Sequence, residues 1–184
     1  MKQYTVAVFG SSWVGKTALS IQFVEEAFPE YIDITIEDTF EKEFEHNGHR
    51  CQLKILDTAS PEVFDGVRDQ YIKYISNNQG FVLVYSIDDS SSFMGLRELR
   101  DQIVHVKETL NVPMILVGNK CDIEEEYRAV STKEGETLAK EFKCTFLETS
   151  AKRKIHVKDT FYDLVRQIDR LERPSSLSFC CGLM

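Results

Sequence analysis

Basic residues are in short supply: 22 Lys and Arg face 30 Asp and Glu, a net charge of −8 over 184 residues. Binding nucleic acid through its phosphates takes a basic surface, so unspecific nucleic-acid binding is excluded. The same deficit removes attachment to anionic lipid through a polybasic run. Long apolar stretches are also missing, none approaching the ~18 residues that span a bilayer. Met1–Phe9 holds too short an apolar run for a secretory signal to be expected. Cysteine is sparse and ill-paired. Cys51, Cys121, Cys144, Cys180 and Cys181 form an odd set without a CxxC, which is no disulfide framework, and reduced thiols in a cytosolic compartment are the simpler reading. The histidines, His46, His49, His105 and His156, show no ligand spacing, so no zinc site is expected. Internal repeats are absent. What remains is a chain of single-domain size, long enough to bury roughly 70% of its unfolded surface without staples.

Short apolar runs alternate with longer helical patterns. Tyr4–Phe9 reads as a strand, followed by a Gly-rich turn and a helix through Glu26. Thr39–His46 and Cys51–Leu56 read as a hairpin around Asn47-Gly48, a dipeptide suited to a type I′ turn. Phe81–Ile87 is almost continuously apolar, as a strand buried on both faces would be, and Met114–Val117 and Thr145–Leu147 are shorter cases. Helices are expected at about 92–110, 132–142 and 156–172, the last with a core-facing stripe of Phe161, Leu164, Val165, Ile168 and Leu171. The alternation predicts an α/β, three-layer fold: a mostly parallel six-stranded sheet with about five helices on its two faces. Periodicity stops after Glu172, which sets residues 1–172 as the folded domain and 173–184 as a flexible tail. In such a sheet ligands bind beyond the carboxyl ends of the strands.

Gly10-Ser11-Ser12-Trp13-Val14-Gly15-Lys16-Thr17 fits G-x-x-x-x-G-K-[ST], directly after a strand and opening a helix. Glycines let successive backbone N–H groups surround phosphate oxygens, and the helix end adds positive potential. Ser12, Trp13, Val14, Gly15 and Ala18 would line the nucleotide, Lys16 would reach the β- and γ-phosphates, and the Thr17 hydroxyl would ligate Mg2+. A chance match is expected on the order of once per hundred chains of this length. Asn119-Lys120-Cys121-Asp122 follows the next apolar strand but one. An aspartate there can accept from both guanine N1–H and its exocyclic amine, whereas adenine would leave the buried carboxylate poorly paired. The loop is not G-x-G-x-x-G, which sets dinucleotide oxidoreductases aside, and the Arg-rich lid of a small-molecule kinase is missing.

With these segments the sequence resembles the Ras-like small GTPases, particularly their Ras, Rap and Rheb branch. The likeness runs from about Tyr4 to Leu171 and again over the last four residues. It rests on Gly10–Thr17, Thr35–Phe40, Asp57-Thr58-Ala59, Asn119–Asp122 and Glu148-Thr149-Ser150-Ala151-Lys152, in family order. The resemblance implies that the three-layer fold is of the P-loop NTPase type, and a Mg2+-dependent GTPase with GTP or GDP bound. It implies that Thr35 ligates Mg2+ when a γ-phosphate is present and, with Lys16, serves catalysis, and that Asp57 holds the metal. It further implies that Phe28 packs on the guanine, Lys120 lies along it, and the Ser150-Ala151-Lys152 loop meets its carbonyl. Ile36–Phe40 would bind effectors, with an exchange factor and a GAP as further partners.

Several positions depart from the family pattern. The segment that usually reads D-T-A-G-Q-E is Asp57-Thr58-Ala59-Ser60-Pro61-Glu62. Pro61 stands where a glutamine orients the attacking water, and proline has no side-chain donor or acceptor. Ser60 replaces the glycine whose N–H meets the γ-phosphate; a glycine-only backbone there would cost ~1–3 kcal/mol, and Pro61 drives Ser60 toward extended conformations. Ser12 and Trp13 crowd the approach of a GAP's arginine. Slow intrinsic hydrolysis is therefore expected, the alternative being a constitutively GTP-loaded binding module controlled by exchange or expression. Glu62 is a solvated carboxylate before it is a replacement base.

Cys181-Gly182-Leu183-Met184 reads as C-a-a-X, its Met pointing to farnesylation, and Cys180 can take palmitate. One lipid anchors only marginally, and residues 174–184 hold no Lys or Arg. Two lipids, placing the protein on the cytoplasmic face of a membrane, are expected.

Overall fold

The computed structural model describes residues 1–29, 31, 37–58, 72–73 and 79–172. Six strands form one sheet: β1 (Lys2–Phe9), β2 (Glu37–His46), β3 (His49–Thr58), β4 (Gly80–Ser86), β5 (Met114–Asn119) and β6 (Thr145–Thr149). Their order is β2-β3-β1-β4-β5-β6, with every pairing parallel except β2 with β3. Five α-helices are fully spanned by described residues: α1 (Lys16–Glu25), α2 (Ser90–Met94), α3 (Leu96–Lys107), α4 (Thr132–Phe142) and α5 (Val157–Glu172). This is the expected α/β architecture of a P-loop NTPase.

The strand alternation sorts two cores. Tyr4, Val6 and Val8 of β1 with Val82 and Val84 of β4 face α1 and α5, packing on Leu19, Phe23, Phe161 and Leu164. The intervening Ala7, Phe9, Phe81, Leu83 and Tyr85 face the other way, onto Leu99 and Ile103 of α3 and Leu138 of α4. All seven residues of β4 are buried, as an apolar run without alternation requires. The hairpin turns at Asn47 (φ 52) and Gly48 (φ 75), both left-handed as a type I′ turn demands. Its strands run farther than their apolar pattern, to Glu37 and Thr58, because backbone pairing continues through polar residues.

Two helical expectations change. The stretch at 92–110 is two helices separated at Gly95, a weak helix former. The first is opened by Asp89, whose carboxylate accepts from Ser91 N–H at 2.9 Å. In α5, Phe161, Leu164, Val165 and Ile168 are buried, while Leu171 in the last turn is 53% exposed. The apolar stripe outruns the core by one turn. The tail at 173–184, with Cys180 and Cys181, lies outside the described residues.

Candidate functional site

β1 lies between β3 and β4, so the connections leaving β1 and β4 diverge at their carboxyl ends and open a crevice there. The loop leaving β1 fills it. A Cβ on Gly10 would fall 2.1 Å from the Val84 carbonyl oxygen, so only glycine lets the loop turn against β4. Gly15 (φ 93) is left-handed and caps α1, where a Cβ would meet Asn119 Nδ2 at 2.4 Å. Between them Val14 is buried, and Trp13, itself left-handed (φ 64), is 80% exposed. Ser12 stands partly exposed beside it and Ala18 is buried in α1.

Lys16 is buried, with Nζ donating to the carbonyls of Gly10 and Ser11 at 2.9 Å each. Its ammonium thus spans the loop that it follows. Thr17 Oγ1 donates to Asp57 Oδ2 at 2.5 Å. Asp57, at the end of β3, is fully buried, and among the described residues its second oxygen, Oδ1, has no hydrogen-bond partner. Burial pushes the carboxyl up to about 6, against the Thr17 bond and the nearby Lys16 charge. An orphaned buried carboxylate oxygen beside a hydroxyl is the donor set of a hard divalent cation, and Mg2+ fits it: one or two protein oxygens, the rest water and phosphate. Among the described residues no group of three or more His, Cys, Asp or Glu could hold a metal.

The second half of the site follows β5. Asn119 is buried and works in three directions: Nδ2 donates to the Val14 carbonyl at 2.9 Å, and Oδ1 accepts from Thr149 Oγ1 at 3.0 Å and from Ala151 N–H at 3.4 Å. One amide therefore fastens the phosphate loop to the β6–α5 loop. Lys120 is left-handed (φ 68), its Nζ 3.4 Å from Asp88. Asp122 accepts from Ser150 Oγ at 2.5 Å, and that hydroxyl in turn accepts from Arg153 N–H at 2.9 Å. Ala151 is buried, Lys152 exposed, and Phe28, three residues past α1, is 46% exposed.

The structure thus brings Gly10–Ala18, Asp57, Asn119–Asp122 and Ser150–Lys152 to one end of the sheet. Thr35, Ile36, Ser60, Pro61 and Glu62 lie outside the described residues. Reading along the chain missed a brace beneath the second half. Arg128 holds Glu148 with two bonds, at 2.7 and 3.1 Å, and Thr132 Oγ1 adds a third at 2.9 Å. It pins the loop after Asp122 to the strand before Ser150; nothing local marks Arg128 for this task. A sequence model of the Ras family matches residues 5–170, which takes in every segment of this crevice.

Proposed function

The chain belongs to the Ras family of small GTPases, P-loop switches that bind and hydrolyse GTP, and from that premise we propose a switch with slow intrinsic hydrolysis that signals from a membrane. The observation that carries the reading is the Asn119 amide, which locks a lysine-bearing, left-handed glycine loop to an aspartate-bearing one. Only a ligand with phosphates at one end and a guanine at the other uses both halves.

In this reading the N–H groups from Ser12 to Ala18 and the N-terminus of α1 take the phosphates. Lys16 Nζ exchanges the Gly10 and Ser11 carbonyls for β- and γ-phosphate oxygens, at little cost in position because it already overhangs the loop. Thr17 and Asp57 hold Mg2+, with Thr35 joining in the triphosphate state. When bound, such an ion would supply positive charge that neutralises the phosphates. Asp122, already oriented by Ser150, accepts from the guanine edge. Phe28 packs on its face, Lys120 lies along it, and Ala151 and Lys152 border its carbonyl.

Pro61 cannot orient water, Ser60 stands where the family has the glycine whose N–H meets the γ-phosphate, and Ser12 and Trp13 crowd the approach of a GAP's arginine. Single-turnover GTP hydrolysis without a GAP is expected to run far below that of an ordinary Ras protein assayed alongside; an equal rate overturns slow hydrolysis. No phosphate release with any GAP favours the constitutively loaded module instead. Trp13, exposed in the phosphate loop, should change emission between GDP and GTP forms. The Ile36–Phe40 segment leads into β2, the sheet edge, to which an effector can add a strand. On that edge Glu43 already pairs with Arg50, and Glu41 accepts from Gln52, so its acids partly serve the hairpin. Anchoring is proposed through farnesyl on Cys181 and palmitate on Cys180; protein from eukaryotic cells without a mass increment on Cys181 overturns it.

A further inference from the structure

Helix α1 ends at Glu26, a left-handed residue (φ 59), and its last turn holds no basic residue of its own. The final carbonyls of a helix are orphaned and carry partial negative charge. Here lysines from elsewhere in the chain meet them. Lys42 of β2 donates to Phe23 O at 2.6 Å and Val24 O at 3.3 Å. Lys154, from the loop that bears Ser150 and Ala151, donates to the Glu26 carbonyl at 2.5 Å. The Glu26 carboxylate pairs with Lys158 of α5 at 2.8 Å, but both partners are more than half exposed, and such pairs contribute little. The bond from Lys154 also lies at the surface, Lys154 and Glu26 both being exposed, but it grips the main chain itself, two residues before Phe28.

Lys154 is itself held. It sits left-handed (φ 60) in a loop closed by reciprocal bonds between Ser150 and Ile155, at 3.1 and 3.0 Å. Ser150 is the residue that orients Asp122. On the other side of the contact, Phe28 follows Glu26 by two residues. One bond therefore ties the loop beside Asp122 to the chain that carries the aromatic.

We infer that Lys154 is a positioning residue for nucleotide retention: by holding the Glu26 carbonyl it fixes Phe28 across the base pocket from Asp122. The inference rests on the guanine-nucleotide reading above. It is tested on the full chain loaded with GDP that carries a methylanthraniloyl reporter on its ribose, by following release after a chase of unlabelled GDP. Lys154→Met should release it about fivefold faster, the upper end of what one exposed charged contact contributes. Lys154→Arg, which keeps the donor, should stay within about twofold of the native rate. In a Phe28→Ala background, Lys154→Met should change nothing further, because its effect passes through Phe28. A native release rate in Lys154→Met overturns the assignment. So does the full factor of about five in the Phe28→Ala background, which general loosening of the loop would produce. A native chain that retains no GDP overturns the nucleotide reading itself, and the first measurement separates that outcome.

Discussion

Two carboxylates at opposite ends of the sheet have opposite surroundings. Asp169, on α5 near the start of β1, accepts from Tyr4 Oη at 2.8 Å, from Lys2, and lies 2.7 Å from His46 Nε2. Burial alone would raise its carboxyl, yet the bonds from Lys2, Tyr4 and His46 hold it down to about 2. Asp57, at the carboxyl end of β3, is buried with one hydroxyl and an orphaned oxygen, and stands near 6. A groove of about 870 Å³ opens beside Asp169, but the acid there is already saturated by the chain's own groups. Space alone does not mark the site; among the described residues Asp57 carries the one buried carboxylate oxygen without a partner, beside the Lys16 loop. One end of the sheet is completed for stability, and the other is left for a ligand to complete.

The sharpest test of that contrast is Lys16→Met. It should weaken GTP binding on the order of 10²–10³-fold, the cost of removing one member of a desolvated charge pair. The nucleotide-free melting temperature should move by no more than about 4 °C. Titration calorimetry and a thermal melt on the same sample check both halves. Next in size is Gly15→Ala, which forces a side chain into a left-handed backbone and against Asn119. It should cost about 1–3 kcal/mol of stability by urea unfolding and loosen nucleotide as well. Gly48, equally left-handed but with open space around it, should tolerate alanine better and leave binding untouched.

Asp169→Asn should show the reverse pattern: a loss of about 1–2 kcal/mol in urea unfolding, with GDP affinity unchanged. An altered affinity would break the division between the two ends. The smallest effect is its pH dependence. Because the folded carboxyl is depressed from 3.8 to about 2, its stabilisation is complete above about pH 4 and is lost as pH falls through 2. The gap between native and Asp169→Asn stabilities should therefore close between those values. Its full size is roughly 1–2 kcal/mol, less than the shift alone implies, because Lys2 is 42% exposed and water screens it.

Most of the fold was legible because buried strands appear as short apolar runs and tight turns name their own residues. The unbroken apolar run at Phe81–Ile87 and the Asn47-Gly48 turn each have one economical reading, and the structure adopts both. Leu171 misled because helical spacing continues past the point where a core remains to receive it. Gly95 interrupts a helix that periodicity alone would carry through. At the site, the phosphate loop is contiguous, so its string carries its geometry. The roles of Asn119, Arg128 and Lys154 depend on partners 20 to 128 residues away in the chain, and no local pattern encodes such pairings. The N-K-x-D string marks Asn119 as a base-site residue, whereas its bonds in the structure go to Val14, Thr149 and Ala151.

That amide also sets a schedule for the growing chain. The phosphate loop is complete in sequence by Thr17, but the Asn119 amide that holds Val14 is synthesised 102 residues later than Thr17, and the Ala151 N–H that steadies Asn119 later still. At ~5–20 residues per second, a ribosome takes on the order of ten seconds to deliver them. Until then the loop has its glycines and its lysine without the brace that shapes them. Stable capture of nucleotide by a nascent chain therefore reports that strands from both halves of the sheet have met.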